Sequence, residues 1–396
     1  RKTSDVARWD LEETSLSRYR SKHYYPVRIG QVLNDQYRII TKLGYGAYST
    51  SWLARDENRT NRYACVKVGV HDDTATSPVA NEIKILRHLA TCSREHGGSV
   101  GAREADNIFQ VAGPKGVHQC IAMKPHSCDY YTLKQDLFGG KLPKDLAMVV
   151  VHQLLACVNW LHFDCGVIHS EITTKNVLMR ATNDADLQKA EEFEAEHPSV
   201  PLEDDGYPVY PSRGSPLSSM ALGSEPILCD FGSSRLASPE NKGWWMPDTY
   251  RAPEVLMGLP WGYSVDIWSI GVMLLELLEG RNVFDPIDSE HQQYVLPLAL
   301  TQYIGLMGPP PLWMIQQSED PLISTYFDAK AGRWISEPPI ESWSLDDFIT
   351  SIPPDKEKVA CLDFLKRIFV WDPSKRADSA QLFLDDWLMR GDDEMK

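Results

Sequence analysis

Hydrophobic and polar positions follow two rhythms along this chain. Tyr37–Leu43, Ser49–Arg55 and Arg62–Val68 are short runs that alternate with turn residues, which predicts an antiparallel sheet. In Asn81–Leu89, Ile83, Leu86 and Leu89 recur near helical spacing, which predicts a helix. Residues 92–118 are rich in Gly and charge and show no clear period; His118–Met123 is a further strand candidate. Beyond about residue 128 the rhythm turns helical. Lys144–His162 is a long amphipathic stretch, and Asp266–Glu279 is apolar on nearly every side, as a buried helix is. Ser344–Phe348, Lys356–Phe369 and Ala380–Met389 predict further helices. The fold class is α+β, a small sheet-rich part followed by a larger helical part. A polar tail comes first and is expected to become ordered near Tyr24.

One segment interrupts the helical part. Residues 184–205 carry nine acidic residues against the single Lys189, and Pro, Ser and Gly fill 206–226. That composition predicts a largely disordered, solvated insert. The competing reading is an acidic arm or localisation element.

Composition narrows the classes. At ~100–200 residues per domain, 396 residues suggest two or three folding units, and 43% hydrophobic content is ample for a core. No apolar run is expected to approach the ~18 residues that span a membrane. The chain starts at Arg1 rather than Met, and no apolar segment of a secretory signal follows. The eight cysteines are scattered without a Cys-x-x-Cys pair, so no structural zinc is expected. Several sit in apolar runs, as reduced core thiols do, which suits an intracellular, reducing compartment. A net charge of −15 argues against sequence-independent nucleic-acid binding, which needs a basic face. It suits a basic partner, or serves solubility alone.

The chemistry lies in a series of motifs. L-G-Y-G-A-Y-S, residues 43–49, sits between two predicted strands, where Gly44 and Gly46 let backbone approach phosphates. A-C-V-K ends a strand at Lys67, which can reach α- and β-phosphates, and Glu82 of the helix N-E-I-K-I-L can hold that lysine. V-I-H-S-E-I-T-T-K-N-V-L-M, residues 167–179, places an acid, Glu171, two residues after a His and an Asn, Asn176, five residues further. I-L-C-D-F-G, residues 227–232, runs apolar residues into Asp230, a carboxylate suited to Mg²⁺, with Asn176 as a second ligand. Y-R-A-P-E (250–254) and D-I-W-S (266–269) complete the order. Singly these are weak; in this order they form the signature set of protein kinases, which predicts a two-lobed fold.

Residues 23–54, H-Y-Y-P-V-R-I-G-Q-V-L-N-D-Q-Y-R-I-I-T-K-L-G-Y-G-A-Y-S-T-S-W-L-A, resemble the SR-protein-specific serine/threonine kinase family in its fungal-like version. Ser49 in place of a third glycine, His-Ser-acid at the catalytic loop and an insert at about 181–225 resemble it too. The likeness implies a tail over 1–22, an N-lobe over 23–126 and a C-lobe over 127–396. It implies ATP and Mg²⁺ as cofactors, a basic or Arg-Ser-rich protein substrate, no direct nucleic-acid or membrane contact, a monomer, and a place in cytoplasm and nucleus. By position it carries ATP contacts to Leu43, Gly44, Gly46, Ser51, Ala64 and Lys67, with Glu82 as the lysine's partner. Met123 falls behind the adenine pocket, Lys124 and His126 in the hinge, and Asn176 and Asp230 at the metal. Glu171 takes the catalytic-base position, and Glu254 is expected to pair with Arg376.

Several positions depart from that pattern. Glu171 replaces the usual Asp, Thr173 the Lys that touches the transferred phosphate, Ser51 a Val over adenine, and Pro247 a Thr near the base. Only Asp285, Asp288 and Glu290 follow Phe284, in a region that helps dock basic substrates in the family. Ser170 stands where an Arg would pair with a phosphorylated activation loop. The stretch 230–254 is therefore expected to be ordered by packing, with Trp244 and Trp245 as anchors and no need of phosphate. Two readings follow: a slow serine/threonine kinase, or a nucleotide-binding pseudokinase that recruits partners.

Overall fold

Short, largely buried strands build a single sheet from the first third of the chain. In a computed structural model, residues 12–16, 19, 23–59, 62–71, 77–181, 184–204, 206–213, 225–328 and 330–389 are described. Val32–Leu33 (β1), Tyr37–Gly46 (β2), Ser49–Asp56 (β3), Arg62–Gly69 (β4), Ala105–Ala112 (β5) and Val117–Met123 (β6) pair antiparallel in the order β1-β2-β3-β4-β6-β5. Pro78–Leu89 (α1) follows β4. Ser77 caps it by accepting from the Ala80 N–H at 3.1 Å, and Pro78 in the first turn needs no donor. Tyr37, Ile39, Trp52, Val66, Phe109 and Ala122 belong to the core on one face of the sheet.

The described residues divide into two units. One draws on 1–91, 103–128 and 178–224, the other on 92–102, 129–177 and 225–396. The division is not the single cut after residue 126 that the sequence suggested: residues 92–102 group with the helices and the insert groups with the sheet. In the helical unit, Tyr130–Phe138 (α2) is capped by Asp129, which accepts from the Thr132 N–H at 2.7 Å. Lys144–Phe163 (α3), Val167–Ile168 (β7) and Ser264–Glu279 (α5, which follows α4, Ala185–Glu196, in the chain) form its centre. By length and composition α3 could cross a membrane, contrary to the expectation from sequence. Here it is a core helix, with Val151, Leu155, Trp160 and Leu161 inaccessible.

The insert is the largest departure from expectation. Residues 185–196 form a helix (α4, Ala185–Glu196), and Leu202–Asp204 (β8) pairs antiparallel with Tyr207–Val209 (β9). Leu187 is buried with Ile40, Leu53 and Tyr63 on the sheet face opposite to Trp52's cluster. Glu191 accepts from Arg55 Nε at 3.2 Å and from the Tyr63 hydroxyl at 2.7 Å. Buried Glu194 accepts from Thr41 Oγ1 at 2.9 Å and from the Ser199 N–H at 2.6 Å. These acids are therefore bonded within the sheet unit rather than solvated. Lys42, wholly buried, donates to Glu13, Glu12 and the Tyr210 carbonyl, so part of the expected tail is ordered too. Residues 1–11, 17, 18, 20–22, 182, 183, Asp205 and 214–224, on which parts of the tail and insert readings rest, lie outside the described residues.

Sequence rhythm also passed over β5, α2 and Leu296–Met307. β5 is an edge strand with only Phe109 buried, so its apolar signal is faint. The expected helix at Lys356–Phe369 ends at Lys366, and the one expected at Ala380–Met389 is interrupted at 384–385, with Ser379–Phe383 and residues 386–389 helical on either side.

Candidate active site

Each unit carries its own share of the predicted residues. In the sheet unit, β4 aims Lys67 at Glu82 of α1, and Nζ donates to Oε2 at 2.6 Å. Glu82 is buried, so the pair is shielded from water and from salt. Register places Ser51 between Gly44 on β2 and Lys67 on β4. A Cβ added at Gly44 or Gly46 would meet nothing within 4 Å, so neighbouring protein does not demand glycine there. That open space is what close backbone approach to a phosphate requires. Tyr24 tethers the hairpin tip by donating to the Gly46 carbonyl at 3.0 Å, a role no local signal revealed. Burial, then the nearby Glu13, pushes its hydroxyl up to about 12, so it stays a donor. Ala64 and Met123 are buried on β4 and β6, while Leu43 is half-buried on β2. Lys124 follows β6, and its carbonyl accepts from Arg103 Nη2 at 3.4 Å. His126 is buried, and burial, reinforced by Arg103, Arg180 and Lys124, holds its imidazole down at about 3, hence neutral.

In the helical unit the catalytic loop hangs from one carboxylate. Asp266, at the start of α5, is inaccessible. It accepts from the His169 N–H at 2.8 Å, the Ser170 N–H at 2.7 Å and His162 Nε2 at 2.9 Å. Three donors on one carboxylate fix the turn, and Ser170 takes φ +68° there. His169 completes the frame. Its Nδ1 accepts from the Glu171 N–H at 3.2 Å, which leaves the proton on Nε2 to donate to the Cys229 carbonyl at 3.1 Å. Burial lowers its pKa, consistent with that neutral tautomer. D-I-W-S entered the sequence reading only as part of an order; the holding role of Asp266 and the part of His162 had no local signature.

That frame places the expected metal ligands side by side in the backbone. The Cys229 N–H donates to the Asn176 carbonyl at 2.9 Å, and Asp230 follows in left-handed conformation, φ +65°. Asn176 Nδ2 donates to the Glu171 carbonyl at 2.9 Å, which commits its amine and leaves its Oδ1 as acceptor. One carboxylate and one amide oxygen suit Mg²⁺, which keeps several waters and takes phosphate oxygens beside few protein ligands. Among the described residues, no group of three or more His, Cys, Asp or Glu could hold a metal ion.

The departures have definite positions. Thr173 is half-buried and its carbonyl accepts from the Asn176 N–H at 3.0 Å, so the turn survives without a lysine. Lys175 is exposed and lies over the Tyr131 ring, 4.8 Å from its centroid. Thr174 donates to buried Glu276 at 3.0 Å, with Lys134 at 2.6 Å and the Tyr250 hydroxyl on the same carboxylate, a network that sequence reasoning missed. The activation segment is packed in place. Trp245 Nε1 donates to Ser170 Oγ at 3.0 Å and to the Ser233 carbonyl at 3.1 Å, and Arg235 stacks on its ring at 4.1 Å. Trp244 covers Arg251 at 4.0 Å. Glu254 and Arg376 pair at 2.8 and 3.0 Å, fully buried, as expected.

Comparison with known proteins agrees with this geometry. The model of the protein kinase domain matches residues 221–388. A serine/threonine protein kinase of Aspergillus fumigatus is 31% identical over 96% of this chain and 91% of its own length. The serine/threonine-protein kinase SRPK of Physarum polycephalum is 26% identical over 93% of this chain and 89% of its own. SRSF protein kinase 3 of Homo sapiens is 32% identical over 43% of this chain and 30% of its own.

Proposed function

The chain belongs to the serine/threonine protein kinase family, with its likeness in the SR-protein kinases, and from that premise we propose that it transfers the γ-phosphoryl group of ATP slowly to basic, Arg-Ser-rich protein segments. The observation that carries the reading is the catalytic-loop frame. Asp266 and His169 hold the backbone of Ser170 and Glu171 in place although the side chains at 171 and 173 have changed.

Phosphoryl transfer asks the protein mainly for position and charge stabilisation. Lys67, fixed by Glu82, would bind and orient the nucleotide's α- and β-phosphates. Asp230 and Asn176 would hold Mg²⁺, which neutralises phosphate charge when bound. Glu171 would accept the substrate hydroxyl's proton. Its additional methylene moves the carboxylate by ~1 Å, worth about 100-fold in rate. Thr173 supplies no positive charge to the transferred group, worth a further ~10²–10³. Groups that act as a unit do not combine freely, so the product is an upper bound. Lys175, over Tyr131, supports no substitute for the missing charge.

The net charge of −15 and the similarity to an SR-protein kinase support a basic substrate. The region after Phe284 adds little. Asp288 is turned onto its own loop, where it accepts from the Glu290 N–H at 3.0 Å and pairs with His291. We place this monomeric enzyme in cytoplasm and nucleus. A peptide array of Arg-Ser repeats against Ser-Pro sequences tests the substrate: preferential labelling of Arg-Ser peptides is expected, and indifference to them contradicts the SR-type reading while leaving the kinase intact.

A further inference from the structure

Two thiols of the helical unit have no part in this chemistry. Of the eight cysteines, seven are buried and Cys92 alone is partly exposed. Cys92 and Cys165, far apart in sequence, share a side-chain hydrogen bond, sulfur to sulfur. Trp160 holds both ends of the pair. Its carbonyl accepts from the Cys165 N–H at 3.2 Å, and its Nε1 donates to the carbonyl of Ser93, the neighbour of Cys92, at 2.8 Å. Arg94 stacks on the same ring at 4.6 Å. The segment after Cys92 is pressed against α3: a Cβ on Gly98 would lie 1.9 Å from the Ala156 carbonyl oxygen, and one on Gly101 2.9 Å from Cys157 Cβ. The backbone on either side of the pair is thus tied to α3.

We propose that Cys92 and Cys165 form a peroxide-responsive dithiol that closes to a disulfide. Cys92, the accessible thiol, attacks hydrogen peroxide as its thiolate. The O–O bond breaks, the hydroxide that leaves takes up the proton released by the Cys92 thiol and becomes water, and Cys92 carries a sulfenic acid. The Cys165 sulfur then attacks the Cys92 sulfur, the S–S bond forms and the S–O bond breaks. The oxygen departs as water with the proton of Cys165. Two thiols lose two electrons and one peroxide becomes two waters. Burial, then the hydrogen bond to Cys92, keeps Cys165 protonated well above the usual thiol range; Asp164 acts in the same direction and Arg94 opposes. Cys165 therefore resolves rather than initiates. Closure brings the sulfurs from hydrogen-bond contact to ~2.05 Å. Cys120, Cys157 and Cys361 are buried, and burial pushes each up to about 12, which leaves them inert beside this pair. The bond would fix the segment 92–102 to the exit of α3, directly ahead of β7 and the catalytic loop.

The test uses the full chain, titrated natively with hydrogen peroxide, alkylated, and mapped without reduction. The expected result is a Cys92–Cys165 linked peptide, loss of two of the eight thiols, and a thermal midpoint higher by roughly 5 °C, all reversed by dithiothreitol. Cys92→Ser, at the exposed member, keeps its remaining thiols at the same dose. Cys165→Ala, compared only after its reduced midpoint matches the parent, sends Cys92 on to sulfinic acid. A parent chain in which Cys92 is over-oxidised without a linked peptide, pairs elsewhere, or stays reduced throughout overturns the proposal. No readout depends on phosphate transfer, so this site and the proposed function fail separately.

Discussion

The strand that carries Lys67 and the loop that carries Glu171 preserve different things. On β4 and α1 both side chains of the phosphate-binding pair are present and joined at 2.6 Å. In the loop the backbone is held by two hydrogen bonds to Asp266, whose carboxylate also accepts from His162 of α3, while the residues that would act on the phosphoryl group have become Glu171 and Thr173. The difference teaches that frame and chemistry are carried by separate residues. Asp266, His162 and His169 shape the loop without touching the reaction, so the acting side chains can change and the shape persists.

The sharpest way to break that separation is to damage each part alone. Asp266→Ala strands buried donors of His169 and Ser170, so it is expected to cost about 3–5 kcal/mol of stability in urea unfolding, with any transfer activity. Glu171→Ala, in a half-buried position, is expected to abolish transfer and leave stability within about 0.5 kcal/mol. Equal stability losses in the two variants would mean that frame and chemistry are not separable.

A smaller effect tests how the activation segment is held. Trp245→Phe removes the donor shared by Ser170 and Ser233 and is expected to cost about 1 kcal/mol. Phosphatase treatment of the parent chain is expected to leave its rate within about twofold, since Ser170 offers no positive charge to a phosphate. A tenfold loss on dephosphorylation would show that packing by Trp245 is not sufficient.

The smallest effect concerns the insert. Its Glu191 is raised by burial but lowered further by bonds to Arg55 and Tyr63, so its folded pKa lies below the unfolded one. Such a carboxylate contributes stability above its unfolded pKa, near ~4.3, and that contribution is lost as pH falls through the folded value. Glu191→Gln should therefore be less stable than the parent at pH 7, by roughly 1 kcal/mol, with the gap closing in acid. A gap that is constant with pH would remove the ionised Glu191–Arg55 pair from the account.

How much of this the sequence disclosed depends on distance along the chain. β2, β3 and β4 were legible because alternation is local, and Lys67 and Glu82 because their motifs are ordered in sequence. The tryptophan anchors were legible because Ser170 left a place that needed packing. The insert was not. Its helix is acidic and polar, and what orders it, Thr41, Arg55 and Tyr63, lies more than a hundred residues away. Lys175 was undecided until its place over Tyr131 was known, since a flexible stem carries no direction in sequence.

A working site slowed by two side chains should still transfer phosphate in a single turnover from Mg²⁺-ATP to an Arg-Ser peptide. With Asp230→Ala as background, the parent chain is predicted to transfer slowly but measurably, and Glu171→Asp to transfer about 100-fold faster. Parent and Glu171→Asp chains both indistinguishable from Asp230→Ala, with ATP still bound, would contradict the account and leave a nucleotide-binding scaffold in its place.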